Sequence, residues 1–182
     1  MRFFKRSFTA VCLLTGVLFA QSPTTVKEYA IPGHGTLRLA MPEGWQVSSS
    51  PVQQPASTVL HIVPRSGDGF DVQLTAVWLD AAAVARMTAQ SIKANVQRSA
   101  DGLLPQAVEK TVAMQELRGE QNLGSYYSIT DRNPAPGEYK YLTQGSFLTG
   151  ELLTAFTILA RMPAAPEVGQ ALRMFGDAKY VK

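Results

Sequence analysis

The sequence predicts an α+β protein in which helices pack on the faces of a mostly antiparallel β-sheet. Two observations predict it. The run from Asn122 to Arg161 alternates apolar and polar residues with a period of two, over three segments separated by turn-forming residues. Ahead of it, two pairs of strand-like segments are followed by one stretch of helical period, and a second helical stretch closes the chain.

The three central segments form an antiparallel meander. Tyr127 and Ile129 share one face of the first; Tyr139, Tyr141, Thr143 and Phe147 share one face of the second; Phe156 and Ile158 share one face of the third. Asp131-Arg132-Asn133-Pro134-Ala135-Pro136-Gly137 separates the first two, because its prolines interrupt both helix and ladder. Leu148-Thr149-Gly150-Glu151 makes the second turn, with Gly150 where a positive φ costs little.

Earlier in the chain, Val26 to Ile31 and Thr36 to Met41 read as a hairpin around Pro32-Gly33-His34-Gly35, with Leu37, Leu39 and Met41 inward. Pro42-Glu43-Gly44 stops it, and Trp45 is placed to cover one end of the core. Gln46 to Ser57, rich in Ser, Gln and Pro, reads as an irregular loop. Thr58 to Val63 and Phe70 to Trp78 are a further pair of strands. Asp80 caps a helix expected to reach Ser99, whose inner face would carry Ala81, Val84, Ala85, Ala89, Ile92 and Val96. Gln106 to Arg118 reads as one or two strands, and a last helix opens near Pro166 with Val168, Leu172 and Phe175 inward.

At the N-terminus, Arg2, Lys5 and Arg6 precede an apolar stretch from Phe8 to Phe19 that ends in Ala20, the pattern of an export signal over residues 1–20, with a single domain over 21–182. Removing those three cations from the 17 Lys and Arg leaves 14 against 14 Asp and Glu. The remaining chain is formally neutral, which argues against nucleic acid as a partner and against an electrostatic hold on a membrane. The single cysteine, Cys12, leaves with the signal unless it is lipidated, a rival for which Thr9-Ala10-Val11-Cys12 is a poor match. A disulfide-free exported domain suggests a bacterial periplasm or cell exterior.

The stretch Tyr29 to Trp45, with alternating Leu37, Leu39 and Met41 followed by Pro42-Glu43-Gly44-Trp45, resembles the opening hairpin of PsbP-like proteins, including exported bacterial relatives such as DcrB-like proteins. The order of later elements fits that family over nearly the whole mature chain. The resemblance implies an α/β/α sandwich used mainly to bind or assemble other proteins, with no shared catalytic motif to carry across.

The residues themselves show no nucleophile elbow, phosphate loop, paired-histidine zinc motif or calcium loop, so no catalytic residue, metal or cofactor is assigned. The expected contact surface is Asp131, Arg132, Tyr139 and Tyr141 with Tyr126, where amphipathic rings stand beside charges. An envelope protein is the expected partner. Two alternatives stay open: a carrier whose apolar pocket lies between the helix from Asp80 and the sheet, and a hydrolase using His34 or His61 with a nearby carboxylate.

Overall fold

A computed structural model describes residues 23–65, 69–119 and 122–182. The export signal and Cys12 lie outside the described residues. The strands are β1 (Thr24–Ala30), β2 (Thr36–Pro42), β3 (Trp45–Val52), β4 (Ser57–Pro64), β5 (Phe70–Trp78), β6 (Gln115–Leu117), β7 (Leu123–Thr130), β8 (Tyr141–Thr149), β9 (Leu152–Ala160) and β10 (Lys179–Val181). The helices are α1 (Ala81–Arg86), α2 (Ala89–Leu103) and α3 (Pro166–Gly176). They build an α+β architecture with two sheets: β1-β2-β10, and a larger one in the order β3-β4-β5-β9-β8-β7-β6. Every pairing is antiparallel, and β7, β8 and β9 form the meander read from the sequence, except that β8 starts at Tyr141 and Tyr139, expected on that strand, lies in the loop before it. Gly150 turns β8 into β9 at φ +56°.

The large sheet has a fully covered face. Leu60, Ile62, Val72, Leu74, Phe156 and Ile158 alternate inward along its strands and pack against α3 and against Leu37, Leu39 and Met41 of β2. At ~1.5–3 kcal/mol for each fully buried large apolar side chain, this shared core is the main stabilising contribution. Its centre is an aromatic trio: Phe175 of α3 lies 4.7 Å from Phe156 and 5.8 Å from Phe147, ring centre to ring centre. Gly145 on β8 leaves room for it, since a Cβ there would fall 2.6 Å from the tip of Phe156.

The opposite face is covered only over β7 and β8. There Ile92, Val96 and Ala100, one stripe of α2 at intervals of four, pack on Tyr127, Ile129 and Leu148.

Four expectations are corrected. Gln46 to Ser57 is mostly strand: β3 pairs with β4 from Trp45–Pro64 to Val52–Ser57, and its polar, Pro51-bearing sequence suits an edge that needs one ladder only. The helix from Asp80 breaks at Met87. Asp80 caps α1 through the Ala83 N–H at 2.7 Å, and Thr88 then starts α2 by exchanging bonds with Ser91, 3.0 Å to its hydroxyl from the Ser91 N–H and 2.9 Å back. A second cap inside one helical period ends α1 and starts α2, and Ala81, Ala85 and Ala89 are exposed. Gln106 to Arg118 contributes only the three residues of β6 and a bridge from Ala107 to Asp131, because the Gln106 and Ala107 carbonyls, the Val108 N–H and the Glu109 carboxylate bond to the β7–β8 connection in place of a continuous ladder. The buried stripe of α3 is Ala171, Met174 and Phe175, with Val168 and Leu172 only partly covered.

The end of α3 is fixed by one buried side chain. Asn122 donates from its amide to the carbonyls of Phe175 (2.9 Å) and Gly176 (2.8 Å), groups that a helix C-terminus leaves without partners, and to that of Ala178 just beyond (3.1 Å). Gly119 and Gly176 make the approach possible, since a Cβ on either would overlap the other segment's backbone. Asn122→Ala strands the Phe175 and Gly176 carbonyls, while that of Ala178 keeps the Thr149 hydroxyl, and we expect a loss of about 2–4 kcal/mol in urea unfolding with little change in slope.

Candidate functional site

Two surfaces gather polar side chains with defined geometry. The first is a groove where α2 leaves the second face of the large sheet uncovered. Cross-strand register places Tyr127, Gln144, Thr157, Gln73 and His61 in one row across β7, β8, β9, β5 and β4. Tyr127 donates its hydroxyl to the Gln144 side-chain carbonyl at 2.5 Å, and Ser99 of α2 donates to the same oxygen at 2.7 Å. The Gln144 amide then donates to the Thr157 hydroxyl at 3.1 Å. Tyr127 is fully buried; desolvation raises its phenol pKa, and the Ser99 contact opposes this. The groove holds about 370 Å3.

The second surface is the β7–β8 loop. Asp131 accepts from the Asn133 N–H at 2.9 Å, an Asx turn, while its own N–H donates to the Lys140 carbonyl at 2.8 Å. Arg132 reaches back to segment 106–109: its N–H donates to the Gln106 carbonyl at 3.0 Å and its guanidinium to the Ala107 carbonyl at 2.5 Å. From the other side, Arg161 donates to the Gly137 carbonyl at 2.8 Å and lies over the Tyr139 ring, 5.5 Å from its centre. Between Asp131 and Tyr139 is a hollow of about 150 Å3 floored by Ile129, Leu142 and Leu159.

Of the five residues singled out in the sequence, the loop therefore brings Asp131, Arg132 and Tyr139 together. Tyr141 lies half-buried against the covered face, and Tyr126 sits farther along that face, donating to Gln115 of β6 at 2.9 Å. The groove residues Ser99, Gln144, Thr157 and Gln73 were missed. The only sequence signal of Gln73, Gln144 and Thr157 is a polar residue at an outward strand position, which is also the signature of a solvated face, and Ser99 lies on α2.

The histidines are separated. His34 stacks on Trp78 with ring centres 3.7 Å apart, and its carbonyl accepts from Tyr180 at 2.6 Å. Trp78 donates to Glu151 at 3.0 Å and Lys182 pairs with Glu151 at 2.5 Å, so this cluster fastens the first hairpin to the C-terminus. The pKa of Glu151 is lowered by Lys182 first and then Trp78, and Lys182 is raised by the same pairing. His61 contacts Asp71 at 2.5 Å on the open face, with its side chain about half exposed at 49%. Among the described residues no group of three or more His, Cys, Asp or Glu could hold a metal ion. A pocket lies between α2 and the sheet, its lining a mixture of hydroxyl and amide groups with Val96, Leu153, Ala155 and Phe156 where a wholly apolar one was expected.

No family model matches the chain, and no curated protein matches it. Among solved structures it is similar to the solution structure of cyanobacterial PsbP (CyanoP) from Synechocystis sp. PCC 6803. The two share 10% identity over 94% of this chain and 98% of that chain, with a TM-score of 0.49. The α+β architecture stands on the register and helix packing above, independently of that likeness. No helix among the described residues is long and apolar enough to cross a membrane.

The loop carries a pH-dependent anchor. Burial pushes the Glu109 carboxyl up, but the N–H and hydroxyl of Thr130, at 2.9 and 2.8 Å, together with its own N–H outweigh this and hold it below the ordinary 4.5. A depressed folded pKa means stabilisation that is present above the unfolded value and lost as pH falls through the folded one. Wild type should therefore exceed Glu109→Gln in urea midpoint near pH 7, and the gap should narrow as pH drops below about 4.5. A gap independent of pH would remove this anchor.

Proposed function

We propose that this chain is an exported, non-catalytic binding or assembly domain that docks on a protein of the cell envelope through the loop from Asp131 to Tyr141. The observation that carries the reading is the combination of outward exposure and internal restraint in that loop. Asn133, Ala135, Pro136, Glu138 and Lys140 face solvent, while bonds from segment 106–109, Arg161 and the Asx turn hold the backbone beneath them. A preordered loop loses little conformational entropy on binding. The hollow beside Tyr139, apolar below and rimmed by Asp131 and Lys140, suits one anchoring side chain from a partner. Arg132 braces this contact and Tyr141 adjoins it, while Tyr126, on the covered face beside β6, lies away from it.

The resemblance of the opening hairpin to PsbP-like proteins, with their DcrB-like exported relatives, supports a binding role over a catalytic one. The signal pattern over residues 1–20 supports export to a bacterial periplasm or beyond, and the charge balance of the remainder supports a protein partner over nucleic acid or a membrane surface.

Arg132 and Tyr139 both make internal contacts, so they are poor first probes. Lys140 is exposed, and its side chain makes no bond among the described residues. In a crosslinking pull-down of the mature protein from its native envelope, Lys140→Glu should lose one reproducible partner that wild type retains, with the midpoint of unfolding unchanged within about 0.5 kcal/mol. Retention of every partner by the variant would refute the loop as the contact.

A further inference from the structure

We propose that the groove between α2 and the open half of the large sheet binds a neutral polyhydroxylated ligand of mono- to disaccharide size. This goes beyond the protein contact proposed above and uses a different surface. The inference starts from the chemistry of the walls. Gln73, Thr75, Asn95, Ser99, Gln144 and Thr157 supply amide and hydroxyl groups, and no charged side chain lines the groove. A charged ligand would lose its hydration there without gaining a counter-ion, and an apolar one would leave buried donors and acceptors unpaired. A neutral ligand rich in hydroxyls meets both conditions.

The polar groups are ordered in advance. The Gln144 carbonyl is occupied by Tyr127 and Ser99, which fixes its amide toward Thr157. One amide hydrogen of Gln144 and the hydroxyl hydrogen of Thr157 stay available beyond those bonds, and Gln73, opposite Thr157 on the next strand, adds both a donor and an acceptor. The Asn95 side-chain carbonyl accepts from Arg98, which stands beside the groove without lining it, and leaves the Asn95 amide free to donate.

Apolar surface is interleaved with these polar groups: Val96 lies on α2 between Asn95 and Ser99, and Leu153 and Ala155 of β9 share a face with Thr157, Ala155 standing opposite Thr75 and Ser146. A pyranose ring offers the same mixture, with C–H groups on its faces and hydroxyls around its edge. At ~30 Å3 per water the groove has room for about a dozen waters, comparable in heavy atoms to one hexose, and its open side admits a second ring. The small number of contacts points to millimolar affinity, which suits capture of an abundant or multivalent glycan.

The test is a titration of the 15N-labelled mature protein with maltose and with N,N′-diacetylchitobiose. Hexanoate, gluconate and a neutral tetra-alanine amide serve as the apolar, charged and peptide comparisons. The proposal expects saturable shifts for at least one saccharide in amides of β5, β8, β9 and α2. Gln73→Ala and Thr75→Val, both on the accessible face, should weaken binding about tenfold each without altering the remaining spectrum. If neither saccharide shifts those amides, the proposal falls. It also falls if hexanoate, gluconate or the peptide titrates them instead, or if both variants bind as wild type. None of these outcomes bears on the loop contact, which lies outside the groove.

Discussion

A sheet has two faces, and this chain closes only one of them fully. The large sheet buries its first face under α3 and the β1-β2-β10 sheet, where the apolar rows of β4, β5, β8 and β9 meet the Phe147, Phe156 and Phe175 trio. Its second face receives one helix of any length, α2, which covers β7 and β8 and stops. The uncovered half must then be polar enough to stand in water. It is: Gln73, His61, Ser48 and Thr75 occupy outward positions there. The groove is the line where the covered and uncovered halves meet.

The same economy explains the loop. Segment 106–114 connects α2 to β6 without entering the sheet, and its polar groups turn to the β7–β8 connection. The Gln106 and Ala107 carbonyls take Arg132, the Glu109 carboxylate takes Thr130, and the Val108 N–H bonds to the Thr130 carbonyl at 2.8 Å. A proline-rich connection of this length would be mobile on its own. Braced on one side by 106–109 and on the other by Arg161, it presents a fixed surface. The groove and the loop thus arise from the two segments that follow α1, one by leaving a face open and one by propping a turn.

How much of this the sequence reveals depends on how local each cause is. The meander was legible because alternation, prolines and Gly150 are all local signals. The inward set Leu37, Leu39 and Met41 was legible for the same reason. Strand β3 was not, since Ser48, Ser49, Ser50 and Pro51 look like a loop until β4 lies beside them. The break at Met87 was masked by a continuous helical period, although Thr88 and Ser91 form a capping box that could have been read. At the candidate sites, Asp131, Arg132 and Tyr139 were found by residue type within one loop. The row of Gln144, Thr157 and Gln73, with Ser99 of α2 above it, was invisible because it exists only in the cross-strand register and helix packing of elements far apart in the chain.

The proposal that a protein partner docks on the braced loop, and not on the open sheet face, is tested by placing a photo-crosslinking side chain at Lys140 in one sample and at Gln73 in another, in cells that produce the protein. One discrete crosslinked protein from position 140 and none from position 73 is the expected result. No adduct at 140, or the same adduct from both positions, would rule the loop out as the docking surface.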